Sequence, residues 1–191
     1  MPRILITNDD GVEADGLLAL ADALTAVGEV TVVAPAEESS AVSHALTLRR
    51  PLCLTRVSES WYSVDGTPTD CVNVGITDVL GEVPDLVVSG INNGLNVGED
   101  VTYSGTVGGA LEGVLLGAHG IAVSLQRSDG PMDYGSAAEV ARRLAATVLA
   151  HGLPPQTLLN VNVPRGDYQG IRGTVQGRRK QAIAAMQAVR D

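Results

Sequence analysis

The stretch Ile4-Leu5-Ile6-Thr7-Asn8-Asp9-Asp10-Gly11 constrains the fold more than any other part of the chain. Three apolar residues run without alternation into Asn-Asp-Asp-Gly, which reads as a buried strand ending abruptly in a polar turn. Within an extended strand, neighbouring side chains point to opposite faces. Where the chain leaves the sheet and Gly11 permits unusual dihedrals, Asp9 and Asp10 can instead converge. Two unit charges about 4 Å apart repel by roughly 4 kcal/mol at an effective dielectric near 20, a cost that one shared cation removes. Two readings follow: a cation grip, or a capping turn built from good turn residues.

The rest of the chain alternates in the same manner. Leu17, Leu20, Ala21 and Leu24 fall at helical spacing within residues 16–27, and Gly28 is a natural stop. Residues 29–35 read as a second strand closed by Pro35, giving a β-α-β opening with a right-handed crossover. Residues 36–47 are a polar loop leaving a strand's carboxyl end, where open α/β sheets carry function. Residues 49–65 suggest a hairpin excursion around Trp61 and Tyr62. Thr67 is the expected N-cap and Pro68 the first position of the next helix, with Asp70 read as architecture. Further strands are expected at 84–90, 121–125 and 158–163, and helices at 107–116 and 134–151, with His119 and His151 at helix ends. The fold class is α/β: a doubly wound, Rossmann-like, mostly parallel sheet with helices on both faces and a β-hairpin excursion. The absence of Phe leaves Val, Leu, Ile and Ala to build the core, which suits such a sheet.

Charge and cysteine usage narrow the partners. A formal net charge of -9 argues against a nucleic-acid polymer, whose backbone is held by clustered Lys and Arg. Cys53 and Cys71 show no CxxC spacing, so a disulfide scaffold or zinc site is not expected, and a reduced, cytoplasmic location fits. Met1-Pro2-Arg3 leads directly into the first strand without a signal peptide's apolar region, and no run approaches a membrane span.

A second polar cluster begins at Ser89. Asn92 sits just past a strand's carboxyl end, as Asp10 does on its own strand, so both loops can face one crevice at a topological switch point. Asn96, Ser104 and Thr106 add neutral hydrogen-bonding groups. Ser104-Gly105-Thr106 precedes an apolar helical run, so its N–H groups and the helix dipole favour an anion such as phosphate. An ordinary N-cap with glycines for close packing is the plain alternative. The Walker ending and the dinucleotide fingerprint are both absent. Two carboxylates, a hydroxyl and an amide carbonyl form an all-oxygen shell suited to Mg²⁺ or Mn²⁺, which would polarise a phosphomonoester. Asp9 and Asp10 are both candidates for the group that orients the attacking water and takes its proton.

At these residues the chain resembles the SurE family, survival protein E. The motifs are TNDDG at 7–11, VVAP at 32–35, GTPTDCV at 66–72, VSGINNGLNVGEDVTYSGTVGGALEG at 88–113, NVNVP at 160–164 and GRR at 177–179. The resemblance implies a SurE-type fold over residues 1–179 and hydrolysis of nucleoside 5′- and 3′-monophosphates, with some members also acting on short polyphosphate. It matches Asp9, Asp10, Ser40 and Asn92 to ligands of one divalent cation per subunit, Mg²⁺ or Mn²⁺. It matches Asn96, Ser104, Gly105 and Thr106 to the phosphate site. Ser40 enters only through the resemblance, since pattern does not separate it from Ser39 or Ser43. Members are cytoplasmic homodimers or homotetramers and usually continue through an arm to a last strand, so the 180–191 tail, read as a short helix, implies a truncated terminus. Asn93 stands where members vary.

Three functional classes remain in play. The first is a divalent-metal nucleotidase, and the second a metal- and nucleotide-binding regulatory module without hydrolysis. The third, an aspartyl-phosphate phosphatase, needs an Asp-x-Asp arrangement that adjacent aspartates do not supply. His44 reads as a loop histidine, with a proton donor to the leaving alkoxide as its functional alternative. Tyr103 is a candidate for stacking a base. Arg172, Arg178 and Arg179 are candidates for contacting substrate phosphate or another subunit.

Overall fold

The computed structural model describes residues 1–166 and 168–178; Arg179 and the 180–191 tail lie outside the described residues. Strand β1 (Arg3–Thr7) lies at the centre of a sheet with β2 (Glu29–Pro35), β3 (Leu54–Ser58), β4 (Trp61–Val64), β5 (Leu86–Asn93), β6 (His119–Leu125) and β7 (Leu158–Val163). The order across this seven-stranded sheet is β3-β4-β2-β1-β5-β6-β7. Every pairing is parallel except β3 with β4, the hairpin expected from the sequence.

The two sides of β1 serve different layers. Ile4 and Ile6 pack with α1 (Asp15–Leu24) and α5 (Gly135–His151), around Leu17, Leu20, Leu24, Ala137 and Ala141. Leu5 points the other way, to Val33, Val87, Cys71 and Val72, the last two on α2 (Pro68–Val74). This period of two turns the unbroken apolar run into a strand covered on both faces. Each fully buried Leu or Ile here stabilises the fold by about 1.5–3 kcal/mol relative to exposure.

Helix α2 begins as its sequence dictates. Thr67 accepts from the Asp70 N–H while Asp70 accepts from the Thr67 N–H, with Pro68 at the start. A short α3 (Asp100–Tyr103) precedes α4 (Gly105–Leu115), which lies against the sheet beside α2. The glycines of α4 explain how closely it packs. A Cβ at Gly109 would stand 2.9 Å from Thr7 Cγ2, and one at Gly113 2.5 Å from a Val87 side-chain carbon. Bare backbone thus lets α4 lie over β1 and β5 and brings its first turn to the end of β1.

His151 closes α5, as expected, but His119 opens β6 rather than ending a helix. Helix α4 stops at Leu115, and the Ala118 N–H bonds the Gly113 carbonyl before the strand starts.

Candidate active site

β2, β4 and β3 lie on one side of β1 and β5, β6 and β7 on the other, so the switch point falls between β1 and β5. Thr7, the last residue of β1, pairs with Ser89, and β5 continues beyond it to Asn93, so the β1 exit faces the extended end of β5 across a crevice. Asp9 and Asp10 leave β1 there, while Asn92 and Asn93 end β5.

Asp9 is nearly buried, at 5% exposure. Its carboxylate accepts from the Thr106 N–H at 3.1 Å and from the Thr106 hydroxyl at 2.6 Å. A carboxylate therefore occupies the N-terminal turn of α4, where helix dipole and free N–H groups favour negative charge. Burial nonetheless pushes the Asp9 pKa up to about 6, the Thr106 hydroxyl bond opposing the rise and the Asp10 charge adding to it. Asp10 is half-buried and raised in the same direction, first by desolvation; the Asn93 N–H bond at 3.3 Å lowers it, Glu38 raises it and Arg127 lowers it. The Asn93 contact uses its backbone N–H, leaving the side-chain oxygen buried without a partner.

The remaining candidate residues stand around this pair. Asn92 donates through Nδ2 to the Gly94 carbonyl at 2.7 Å, which leaves its Oδ1 for another partner. Ser40 is exposed and donates to Glu38 at 2.6 Å, while the preceding Ser39 N–H bonds the Asp9 carbonyl at 2.8 Å. Ser104 caps α4 by accepting from the Val107 N–H at 3.1 Å. Gly105 lies against Asp9, where a Cβ would come within 3.0 Å of its carboxylate. Asn96 sits farther along, buried, donating to Ser124 at 2.8 Å and taking its backbone N–H to Asn162. Tyr103 is exposed beside Ser104, and Arg172 and Arg178 are exposed on the segment after β7.

Among the described residues no group of three or more His, Cys, Asp and Glu side chains is placed to hold a metal. An ion at this crevice would depend on two carboxylates completed by neutral oxygens. Such oxygens are on hand: the Asn8 and Asn93 side-chain carbonyls are buried without a hydrogen-bond partner, Asn92 Oδ1 belongs to the end of β5, and Ser40 Oγ to the loop after β2. The set is hard and oxygen-only, the chemistry that Mg²⁺ or Mn²⁺ requires.

Sequence reasoning passed over several residues that shape the crevice. Glu38 and Arg127 set the charge around Asp10, and Asn160 and Asn162 both donate to the Asn96 carbonyl. The asparagine pair was detectable, because alternate residues of NVNV share one face of a strand. Glu112 was also detectable as the lone acid in the apolar run of α4. His44, read as a loop histidine, is in fact half-buried and lies 2.5 Å from the Glu112 carboxylate.

The family description "Survival protein SurE" matches residues 4–183. The chain belongs to the SurE family. It is 56% identical over 180 residues to the 5′-nucleotidase SurE of Geotalea daltonii, a match covering 93% of this chain and 73% of that one. The 5′-nucleotidase SurE of Geobacter sulfurreducens is 55% identical, with 93% and 69% covered. The crystal structure of the SurE protein from Aquifex aeolicus superposes with a TM-score of 0.89 at 45% identity, covering 93% of this chain and 73% of that one. The SurE fold is therefore that of this chain, with the sequence-derived architecture of a doubly wound sheet.

Proposed function

We propose that this SurE-family chain is a divalent-metal-dependent nucleotidase that hydrolyses nucleoside 5′- and 3′-monophosphates, and short polyphosphate as a secondary substrate. The observation that carries the reading is the pair Asp9 and Asp10 at the switch point, one of them fixed on the first turn of α4 by Thr106. The names of its relatives, 5′-nucleotidase SurE, supply the substrate class.

Asp9, Asp10, Ser40 and Asn92 would hold one Mg²⁺ or Mn²⁺. Bound there, the ion supplies charge neutralisation for the phosphoryl oxygens and activation of a water nucleophile. Thr106 fixes the Asp9 carboxylate in one orientation, so the acid is pre-organised before substrate arrives. Asp10 has one oxygen on the Asn93 N–H and a second available to orient or deprotonate the attacking water. Ser104, Gly105 and Asn96 border the place for the phosphate, and the dipole of α4 favours its charge. Arg127, bonded to the Asn93 carbonyl at 3.1 Å, adds a cation to an otherwise acidic rim.

The proposal includes a cytoplasmic homodimer or homotetramer. A cavity of about 650 Å³ between β7 and the segment after it, lined by Leu158, Val161, Tyr168 and Ile171, supplies apolar surface near that edge. No helix among the described residues is long and apolar enough to cross a membrane.

The deciding experiment is phosphate release from nucleoside monophosphates by the purified chain with Mg²⁺, with Mn²⁺ and after chelation, beside Asp9→Asn. Release that needs metal and vanishes in the variant is expected. Turnover unchanged by chelation would end the metal reading, and calorimetric nucleotide binding without release would make the chain a binding module instead. The mass in solution reads the assembly.

A further inference from the structure

Glu112 is the single acidic residue of α4 and is 6% exposed. Both carboxylate oxygens are engaged, one by the Asn73 side-chain amide of α2 and the other by His44 Nε2 at 2.5 Å. A buried carboxylate is costly to keep and must be matched by what it holds. It is not part of the oxygen set at Asp9. Glu112 lies six positions after Thr106 on α4, a rise of about 9 Å between the two backbone positions.

What the pair does hold is the loop 36–47. Ala41 and Ser43 in this loop have φ of 57° and 58°. Non-glycine residues occupy that left-handed region only where their surroundings impose it. The Ser39 and Ser43 N–H groups anchor to the Asp9 and Tyr103 carbonyls, and the Ser43 hydroxyl to the Thr102 carbonyl. The Thr47 N–H reaches Asp70 at 2.9 Å. His44 supplies the side-chain anchor on α4 itself, and its backbone lies where a Cβ on Gly108 would be 3.2 Å from its Cα. We propose that His44 and Glu112 form a clamp that fixes loop 36–47 on α4 and thereby sets Ser40 against the acidic pair. His44 is then a positioning residue, and the inference rests on Ser40 serving the ion.

The test compares the full chain with His44→Ala, His44→Gln, Ser40→Ala and the Ser40→Ala/His44→Ala double variant. Metal-free amide exchange and calorimetric Mn²⁺ binding are the two readouts. His44→Ala should speed exchange within 36–47 by about tenfold or more while β1 and β5 keep their protection. It should weaken Mn²⁺ by about tenfold, and add less than about twofold in the Ser40→Ala background, because both substitutions act through one ligand. His44→Gln, whose amide reaches Glu112, should restore most of both. Unchanged exchange in 36–47, or a loss fully additive to Ser40→Ala, overturns the clamp. If the unaltered chain takes up no Mn²⁺, the metal reading fails, while the exchange comparison still judges the clamp.

Discussion

Thr106 gives both of its donors to Asp9: the backbone N–H at 3.1 Å and the hydroxyl at 2.6 Å. These bonds join the end of the central strand to the first turn of α4 across a sequence gap of 97 residues. They oppose the effect of burial, which still leaves the Asp9 pKa pushed up to about 6. The site thus stores unfavourable charge that a divalent ion would relieve.

The first prediction concerns stability without metal. Because the folded pKa of Asp9 is near 6 and the unfolded value near 3.9, the folded state binds the extra proton between those limits. The resulting stabilisation is fully present below about pH 4 and lost as pH rises through about 6, an effect of about 3 kcal/mol. Asp10 is raised in the same sense, first by desolvation, and contributes with the same sign. Asp9→Asn removes the Asp9 part. In chelator, its urea midpoint should exceed that of the unaltered chain at pH 8, and the difference should close towards pH 4. An unaltered chain whose midpoint rises between pH 4 and 6 relative to Asp9→Asn would contradict the burial of a charged Asp9. Saturating Mn²⁺ should then stabilise the unaltered chain alone, by about 2.7 kcal/mol at 100 times its Kd.

Thr106→Val isolates the hydroxyl. Valine keeps the shape and the backbone N–H while removing the 2.6 Å donor, which lowers the Asp9 pKa in the intact chain. Hydrogen bonds to charged groups contribute about 1.5–3 kcal/mol, so the midpoint pH for Mn²⁺ binding should move up by about one unit or more. Calorimetric titrations from pH 5 to 8 read the shift directly. A profile that does not move would mean the hydroxyl does not stabilise the charged acid.

The crevice was legible in the sequence to the extent that it is made of strand ends. Unbroken apolar runs gave β1 and β5, and the polar exits at Asn8-Asp9-Asp10 and Asn92-Asn93 followed from where those runs stop. The Thr67 cap and the Pro68 start were equally local, since a capping box is complete within four residues. What local pattern did not give is anything decided by two elements meeting. The pairing of His44 with Glu112 spans 68 positions, and the Ser43 hydroxyl reaches the Thr102 carbonyl across 59. Thr106 showed as a residue at a helix start; only the fold shows that its donors go to Asp9.

Asp70 supports the second wall of the loop. Its carboxylate is 1% exposed and accepts from the Thr67 and Thr47 N–H groups, both at 2.9 Å. Asp70→Ala leaves two donors without partners and removes half of the capping box. A loss of about 2–4 kcal/mol is expected from an unmade cap and an unsatisfied buried donor together. The urea midpoint should fall accordingly, while Mn²⁺ affinity of the folded protein stays within about twofold, because Ser39, Ser43 and His44 still anchor the loop. A change in affinity larger than the change in stability would place Asp70 in the site rather than in the frame.

Gly108→Ala sets helix propensity against the loop. In an ordinary helix interior, replacing Gly by Ala stabilises by about 1 kcal/mol. Here the added methyl would stand 2.7 Å from the Ser43 carbonyl oxygen and 3.2 Å from His44 Cα, both backbone atoms that cannot rotate aside. The helix is packed on the sheet below, so the loop must give way, and with it the contacts of Ser43 to Tyr103 and Thr102. The expected result is a thermal midpoint changed little, as the two effects offset, with kcat/KM for a nucleoside monophosphate reduced about tenfold or more, as small misplacements near a reacting centre produce. A variant that gains the full helix stabilisation and keeps its activity would mean that loop 36–47 does not rest on α4 in the working enzyme.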